Sequence, residues 1–354
     1  MPENVGQRTR HTPLVAVETE NLSREEWLDY RRQGIGGSDV AGIMGISPFR
    51  TARDIYYDKL NIAAVEDEPG NWVALEMGHL LEDLVAKIFH KKSGLEIYQV
   101  KKMFRHPKYP FMLADVDYFV RLPGGATAIL EIKTTNYNAT DHWWQDGRET
   151  VPVYYEVQGR HYMAVMDADR VFFCCLYGNT EDEVIIRTIE RDMGYEQEMI
   201  YLEQCFWENH VLAKDPPPYT EDGVQIMESV QRYCGPADTK APALELGMDM
   251  TETLMRYLRL QEEKKKAEKR SDELEKELQR TKAILIAEMG TSCIAECRKD
   301  GFRYTVTYNP VRKTGVDKNN LSRLKLQYPE IYEQFVTVTE YRRFLVKVSA
   351  EEAA

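Results

Sequence analysis

The chain has 354 residues, 43% hydrophobic and 29% charged, which is ordinary for a globular protein and ample to bury a core. No apolar run reaches the ~20 residues of a membrane helix. The polar opening MPENVGQRTRHTPLVAVETE lacks the apolar segment of a secretory signal, so the reading is no membrane and a cytoplasmic location. The net charge of −12 disfavours a general nucleic-acid binder, but it leaves room for a local basic groove beside a carboxylate-rich site.

Residues 1–20 read as a polar leader. Residues 21–33 predict a short helix, with Ser23 at the N-cap and Glu26 three residues on, a capping-box pattern. Gly34 ends it. In GIGGSDVAGIMGIS (34–47), Ser38-Asp39 can cap a second small helix that Pro48 stops. Residues 74–93 predict the clearest helix of the first half. Its apolar stripe is Leu81, Leu84, Val85 and Ile88, and Gly94 is a natural C-terminal stop.

Residues 111–122 and 127–134 predict two strands joined by Pro123-Gly124-Gly125. Residues 153–166 predict a helix; 170–177 and 183–190 predict another strand pair. Cys174 and Cys175 then point to opposite faces of one strand. With no CxxC pair among the six cysteines, reduced thiols are expected rather than a zinc or iron–sulfur site.

Residues 21–213 thus form a mixed α/β layered core. Residues 214–248, with Pro216-Pro217-Pro218, read as a linker. Residues 249–289 predict a long charged helix with a broken seam of Leu254, Leu258, Leu274, Leu278 and Leu285. Residues 290–354 predict a small α+β tail, with strands in 294–311 and 335–348 around a helix at 317–328.

The chemistry concentrates in two strands. Glu131 and Lys133 in AILEIKTT are two apart and share one strand face. Burying charges there is costly unless they are paired. Asp117 in MLADVDYFV lies on the preceding strand, where Asp115 would share its face. A hairpin of the two strands brings Asp117 near Glu131. Carboxylates suit Mg²⁺. A bound Mg²⁺ polarises a phosphate and acidifies water, and a lysine stabilises developing charge. The triplet alone also fits a solvated hairpin.

The pattern D-x(13)-ExK resembles the PD-(D/E)xK nuclease superfamily. The GIGGSD stretch after Arg31-Arg32, the GHLLEDLVA helix and the VQGRHYMAV helix, in this order, resemble the YqaJ-type viral recombinase family, to which lambda exonuclease is related. The resemblance covers roughly residues 24–190. It implies a restriction-endonuclease-like fold, a mixed central sheet flanked by helices. It also implies 5′-to-3′ digestion of linear double-stranded DNA to leave 3′ single-stranded tails.

By resemblance, Glu82, Asp117 and Glu131 hold the metal with the Ile132 carbonyl, and Lys133 is the catalytic lysine. Gln158 orients the nucleophile or a metal-bound water, on a helix face shared with Tyr154 and Tyr162. Arg31 and Ser38 lie near the DNA 5′-phosphate. The cofactor implied is Mg²⁺, with Mn²⁺ the alternative. The partners implied are duplex DNA ends, a single-strand annealing recombinase and further copies of the chain in a trimeric ring. Val116 and Tyr118 stand where the family has proline and glycine, which leaves Asp115 and Asp117 both open. His79, His142 and His161 read as DNA-contacting or structural. The rival readings are an endonuclease of restriction or repair type, which would cut closed circles, and a non-catalytic DNA-end-binding protein.

Overall fold

The computed structural model describes residues 10–64, 72–234, 242, 245, 247–314, 318–335 and 338–350. The chain divides into two units, Met1–Thr239 and Lys240–Ala354.

The first unit runs β1 (Leu14–Glu18), α1 (Arg24–Arg32), β2 (Ile35–Gly36), α2 (Gly37–Ile43), α3 (Ala52–Lys59), α4 (Trp72–Ser93), β3 (Glu96–Tyr98), β4 (Lys102–Arg105), β5 (Met112–Asp115), β6 (Tyr118–Arg121) and β7 (Thr127–Thr134). It continues with β8 (Trp144–Gln145), β9 (Arg148–Glu149), α5 (Val153–Met166), β10 (Arg170–Leu176), β11 (Val184–Glu190), α6 (Met193–Phe206) and α7 (Gly223–Cys234). A mixed sheet has the order β11-β10-β7-β6-β3. Only β7 and β10 are parallel in it, and α5 is the crossover such a pair requires. A second sheet has the order β1-β4-β5-β2.

The strand pleat explains the layering. Along β7, Ala128, Leu130 and Ile132 face the same way and pack with Val85, Ala86 and Phe89 of α4. Ile129 faces the other way, into a cluster with Val157, Met163 and Val165 of α5. The sheet is therefore covered on both faces, in three layers. Full burial of a side chain such as Phe89 contributes roughly 2–3 kcal/mol. Cys174 belongs to the α4-side cluster and Cys175 to the α5-side cluster, as adjacent strand residues must. The α5 layer sits close because residue 159 is glycine: a Cβ there would lie 2.6 Å from Phe173 Cζ.

Several expectations change. Within the expected leader, residues 1–9 lie outside the described residues. Leu14–Glu18 instead form β1, antiparallel to β4, and Arg10 donates to Asp169 at 2.8 Å. The capping box of α1 is present at Ser23 and Glu26. Helix α2 is capped by Gly36, not Ser38, and it ends at Ile43, ahead of Gly45 at φ +68° rather than at Pro48. On α4, Leu84 is exposed and Phe89 replaces it in the buried stripe. The strand expected over 111–122 is broken at Val116-Asp117, and its halves join different sheets.

The expected linker over 214–248 carries α7, which docks on α3. Ser229 is buried and donates to Asp54 at 2.7 Å, and Ala52 N–H donates to Glu221 at 2.9 Å. The hairpin β8–β9 was not anticipated, although its turn Asp146-Gly147 has the positive φ pair that an Asp-Gly dipeptide favours.

The second unit holds α8 (Met248–Met289), β12 (Ile294–Lys299), β13 (Phe302–Thr314), α9 (Lys318–Gln327), α10 (Pro329–Phe335) and β14 (Val338–Ala350). The strands form an antiparallel sheet of order β12-β13-β14. The strand expected over 294–311 is a hairpin turned at Asp300-Gly301. Along α8, pairs such as Glu262–Lys266 (2.8 Å) stabilise the solvated middle. Among the described residues, no helix is long and apolar enough to cross a membrane.

Candidate active site

The ExK triplet lies on β7, and the pleat turns Glu131 and Lys133 toward α5. Glu131 is 2% exposed. Its Oε1 accepts from Lys133 Nζ at 2.8 Å and from Gln158 Nε2 at 2.5 Å. Gln158 Oε1 in turn accepts from Lys133 at 3.0 Å, which closes a triangle of three side chains. The other carboxylate oxygen, Glu131 Oε2, is buried with no hydrogen-bond partner. An orphaned anionic oxygen is costly in a protein interior.

Burial raises the Glu131 carboxyl above the usual range, against the pull of Lys133. Burial opposes the Lys133 charge as well, but Glu131 and Asp117 hold its ammonium above the ordinary lysine value. The Tyr155 ring packs 4.7 Å from Lys133 Nζ.

The break between β5 and β6 gives the two aspartates different partners. Asp117 Oδ2 accepts from the Ile132 N–H at 2.8 Å. That contact ties Asp117 to the strand carrying Glu131. Asp115 is turned away and accepts from Trp27 Nε1 at 2.7 Å. Burial and the Glu131 charge both push the Asp117 carboxyl upward.

Glu82 comes from α4. Burial, then the charge of Asp117, raises its carboxyl to about 7. Its Oε1 accepts from Gln99 at 3.4 Å. Among the described residues, no group of three or more His, Cys, Asp or Glu side chains is placed to hold a metal ion. Mg²⁺, however, ordinarily takes one or two carboxylates and keeps several waters. The orphan Glu131 oxygen, with Asp117 beside it, fits that demand.

Gln158 and Tyr162 share a face of α5 at 3.4 Å. Tyr154, one turn earlier, reaches His142 instead (3.3 Å). His161 is fully buried between Glu203 (2.9 Å) and the Leu113 carbonyl (2.9 Å), a structural placement. His79 is exposed.

Arg31 and Ser38 do meet: the Arg31 Nη2 donates to Ser38 Oγ, and Ser38 is exposed. Sequence reasoning missed what stands behind them. Asp39, 0% exposed, accepts from Lys59 Nζ at 2.6 Å, Arg31 Nη2 at 2.9 Å and the Gly36 N–H at 3.0 Å, and Arg50 lies 3.8 Å away. Burial works against its charge, but Lys59, Arg31 and Arg50 together hold its carboxyl far below the usual range. The result is a cation-rich cluster in an acidic chain. The local clue was Asp39 as third residue of a helix starting at Gly37; nothing local pointed to Lys59.

Comparison with known proteins adds a lineage. Residues 26–169 match the model of the YqaJ-like viral recombinase domain. The chain is 32% identical over 338 residues to the uncharacterized protein YqaJ of Bacillus subtilis (strain 168), covering 94% of this chain and 97% of that one. Among solved structures, an alkaline exonuclease from Laribacter hongkongensis aligns at 21% identity and a TM-score of 0.43, over 54% of this chain and 94% of that one. A phage-related exonuclease from Haemophilus somnus 129PT aligns at 15% and 0.37, over 51% and 96%.

Proposed function

The chain belongs to the YqaJ-like viral recombinase family, and from that membership we propose that it is a Mg²⁺-dependent exonuclease acting on the ends of linear double-stranded DNA. The observation that carries this reading is the buried Glu131–Lys133–Gln158 triangle with Asp117 at its side and one Glu131 oxygen unpartnered. A purely structural network would satisfy that oxygen; a metal site leaves it free for its ion.

In this reading Glu131 and Asp117 would hold the metal, with the Ile132 carbonyl and Glu82 as further ligands. When bound, Mg²⁺ (or Mn²⁺) polarises the scissile phosphate and acidifies a water. Lys133, kept protonated by its carboxylate neighbours, offers positive charge to the phosphate oxygen as the bond breaks. Gln158 fixes the direction of both Glu131 and Lys133 and orients the attacking water. Arg31 and Ser38 receive a 5′-phosphate: a guanidinium with a hydroxyl beside it is a suitable fork for that dianion. That pocket gives the reading its 5′-to-3′ polarity and its product, a 3′ single-stranded tail. A single-strand annealing protein is the natural consumer of that tail, and a trimeric ring in the bacterial host cytoplasm is the assembly and location that the resemblance implies.

A time course on end-labelled linear duplex tests this, with Mg²⁺ against EDTA and with 5′-phosphate against 5′-hydroxyl ends. Metal-dependent shortening from the 5′ end, faster with the phosphate, is expected. Glu131→Ala and Lys133→Ala should each reduce the rate by at least ~10²-fold. Equal cutting of closed circular DNA would overturn the exonuclease reading, and undiminished digestion by either variant would overturn the site.

A further inference from the structure

The catalytic face of the sheet extends sideways beyond Glu131. Glu131 on β7 is level with Phe173 on β10, and Phe173 is level with Arg187 on β11. Residues level across a ladder point to the same face, so Arg187 stands on the face of Glu131 and Lys133. Two strand spacings separate it from Glu131, about 10 Å.

Arg187 is unusual there. Its side chain is 11% exposed. Its Nε and Nη2 are buried with no hydrogen-bond partner. Its Nη1 donates to the Ile186 carbonyl at 2.9 Å. The carboxylate nearest to it is Glu149 of the β8–β9 hairpin, 3.5 Å from Nη1 and itself 71% exposed. That is a long, loose contact for a cation with two idle donors. Burial accordingly holds its guanidinium below the ordinary arginine range.

Over the same guanidinium lies Trp144, the first residue of β8, with its ring 5.0 Å away. Trp144 is 41% exposed, so part of the ring is open to solvent. An exposed indole backed by an arginine is the combination that single-stranded nucleic acid uses, a base on the ring and a phosphate on the cation. The packing of the hairpin argues the same way. Trp144, Gln145, Arg148 and Glu149 are all exposed, while the buried Trp143 and Val151 anchor the hairpin at either end.

We propose that Trp144, Arg187 and the β8–β9 hairpin form a subsite for a single strand of DNA beside the carboxylate site, a base stacking on Trp144 and a phosphate displacing Glu149 from Arg187. The subsite lies two strand spacings, about 10 Å, to the side of Glu131, beyond the buried Phe173. Glu149 occupies in the free protein the place a phosphate takes in the complex. The proposal rests on the nuclease reading and adds the path of one strand past the site.

The test is fluorescence anisotropy of a fluorescein-labelled single strand of about 12 nucleotides, within the usual site size, titrated with the full chain in EDTA. Arg187→Gln should weaken binding about tenfold and reduce the slope of log affinity against log salt by about one. Trp144→Ala should weaken it by a similar factor. Glu149→Gln, a surface change that leaves the fold intact, should tighten binding severalfold. Arg187→Gln and Trp144→Ala both within twofold of the parent would overturn the proposal, as would weaker binding by Glu149→Gln. Unaffected variants of a parent that binds the strand and digests duplex ends sink the subsite alone. A parent that neither binds nor digests sinks the nuclease reading and the subsite with it.

Discussion

Replacing Asp39 with asparagine removes the fully buried carboxylate on which a cation cluster converges. Asp39 is fully buried and touches Lys59, Arg31 and the Gly36 N–H. The cations differ in what they can do next. The side chains of Arg31 and Arg50 are 22% and 34% exposed and can turn to water, but that of Lys59 is 0% exposed. Its ammonium would keep only the Arg31 carbonyl at 3.3 Å and Asp58 at 3.9 Å. Breaking a buried pair from one side costs ~3–5 kcal/mol, because it strands the other charge. At roughly 2–4 °C per kcal/mol for a domain of this size, the midpoint should fall by about 6–20 °C.

The loss carries a pH signature. Burial already holds Lys59 below the ordinary lysine range, and loss of Asp39 lowers it further. Between that lowered value and the unfolded value of ~10.4, the unfolded chain binds a proton that the folded chain lacks. Stability therefore rises with pH across this window. Urea unfolding at pH 7 and pH 9.5 should show the variant recovering part of its deficit, more steeply than the parent. Adding Lys59→Met should recover most of it at both pH values. A deficit below ~1 kcal/mol, or one that does not shrink at pH 9.5, would refute the account of a stranded buried ammonium.

Asp117 titrates in the opposite sense. Its raised carboxyl keeps a proton that the unfolded chain has released above pH ~4, so metal-free stability falls as pH climbs from about 4 toward 8. Asp117→Asn still accepts from Ile132 and should flatten that slope in melting curves recorded in EDTA; an unchanged slope would show the group titrates normally. Millimolar Mg²⁺ should raise the melting temperature of the parent at pH 8 by mass action and leave Glu131→Gln unmoved; equal shifts in both would place the ion elsewhere. Gly159→Ala drives a methyl to within 2.6 Å of the Phe173 ring. It should cost about 1–3 kcal/mol in urea unfolding and slow cleavage through the adjacent Gln158; a neutral result would mean that α5 has room to move.

Local rules made much of this protein legible in its residues. Capping chemistry announced α1, and periodicity announced α4 and α5. The pleat alone placed Glu131 with Lys133 and split Cys174 from Cys175. These depend on neighbours within a few positions, where backbone geometry dictates which way a side chain points.

Tertiary structure decided the rest, because it pairs groups that sequence separation conceals. Asp117 belongs with Glu131 only because the strand breaks at Val116-Asp117 and the Ile132 N–H meets the carboxylate, while Trp27 claims Asp115. Val116 and Tyr118 gave no sign of that division. Asp39 finds Lys59 twenty residues away, and residues 223–234, in a stretch that reads as a linker, form a helix held by a serine buried against Asp54. Buried polar groups must be satisfied by whatever the fold brings near. That partner is chosen by packing in three dimensions, and no local pattern along the chain records it.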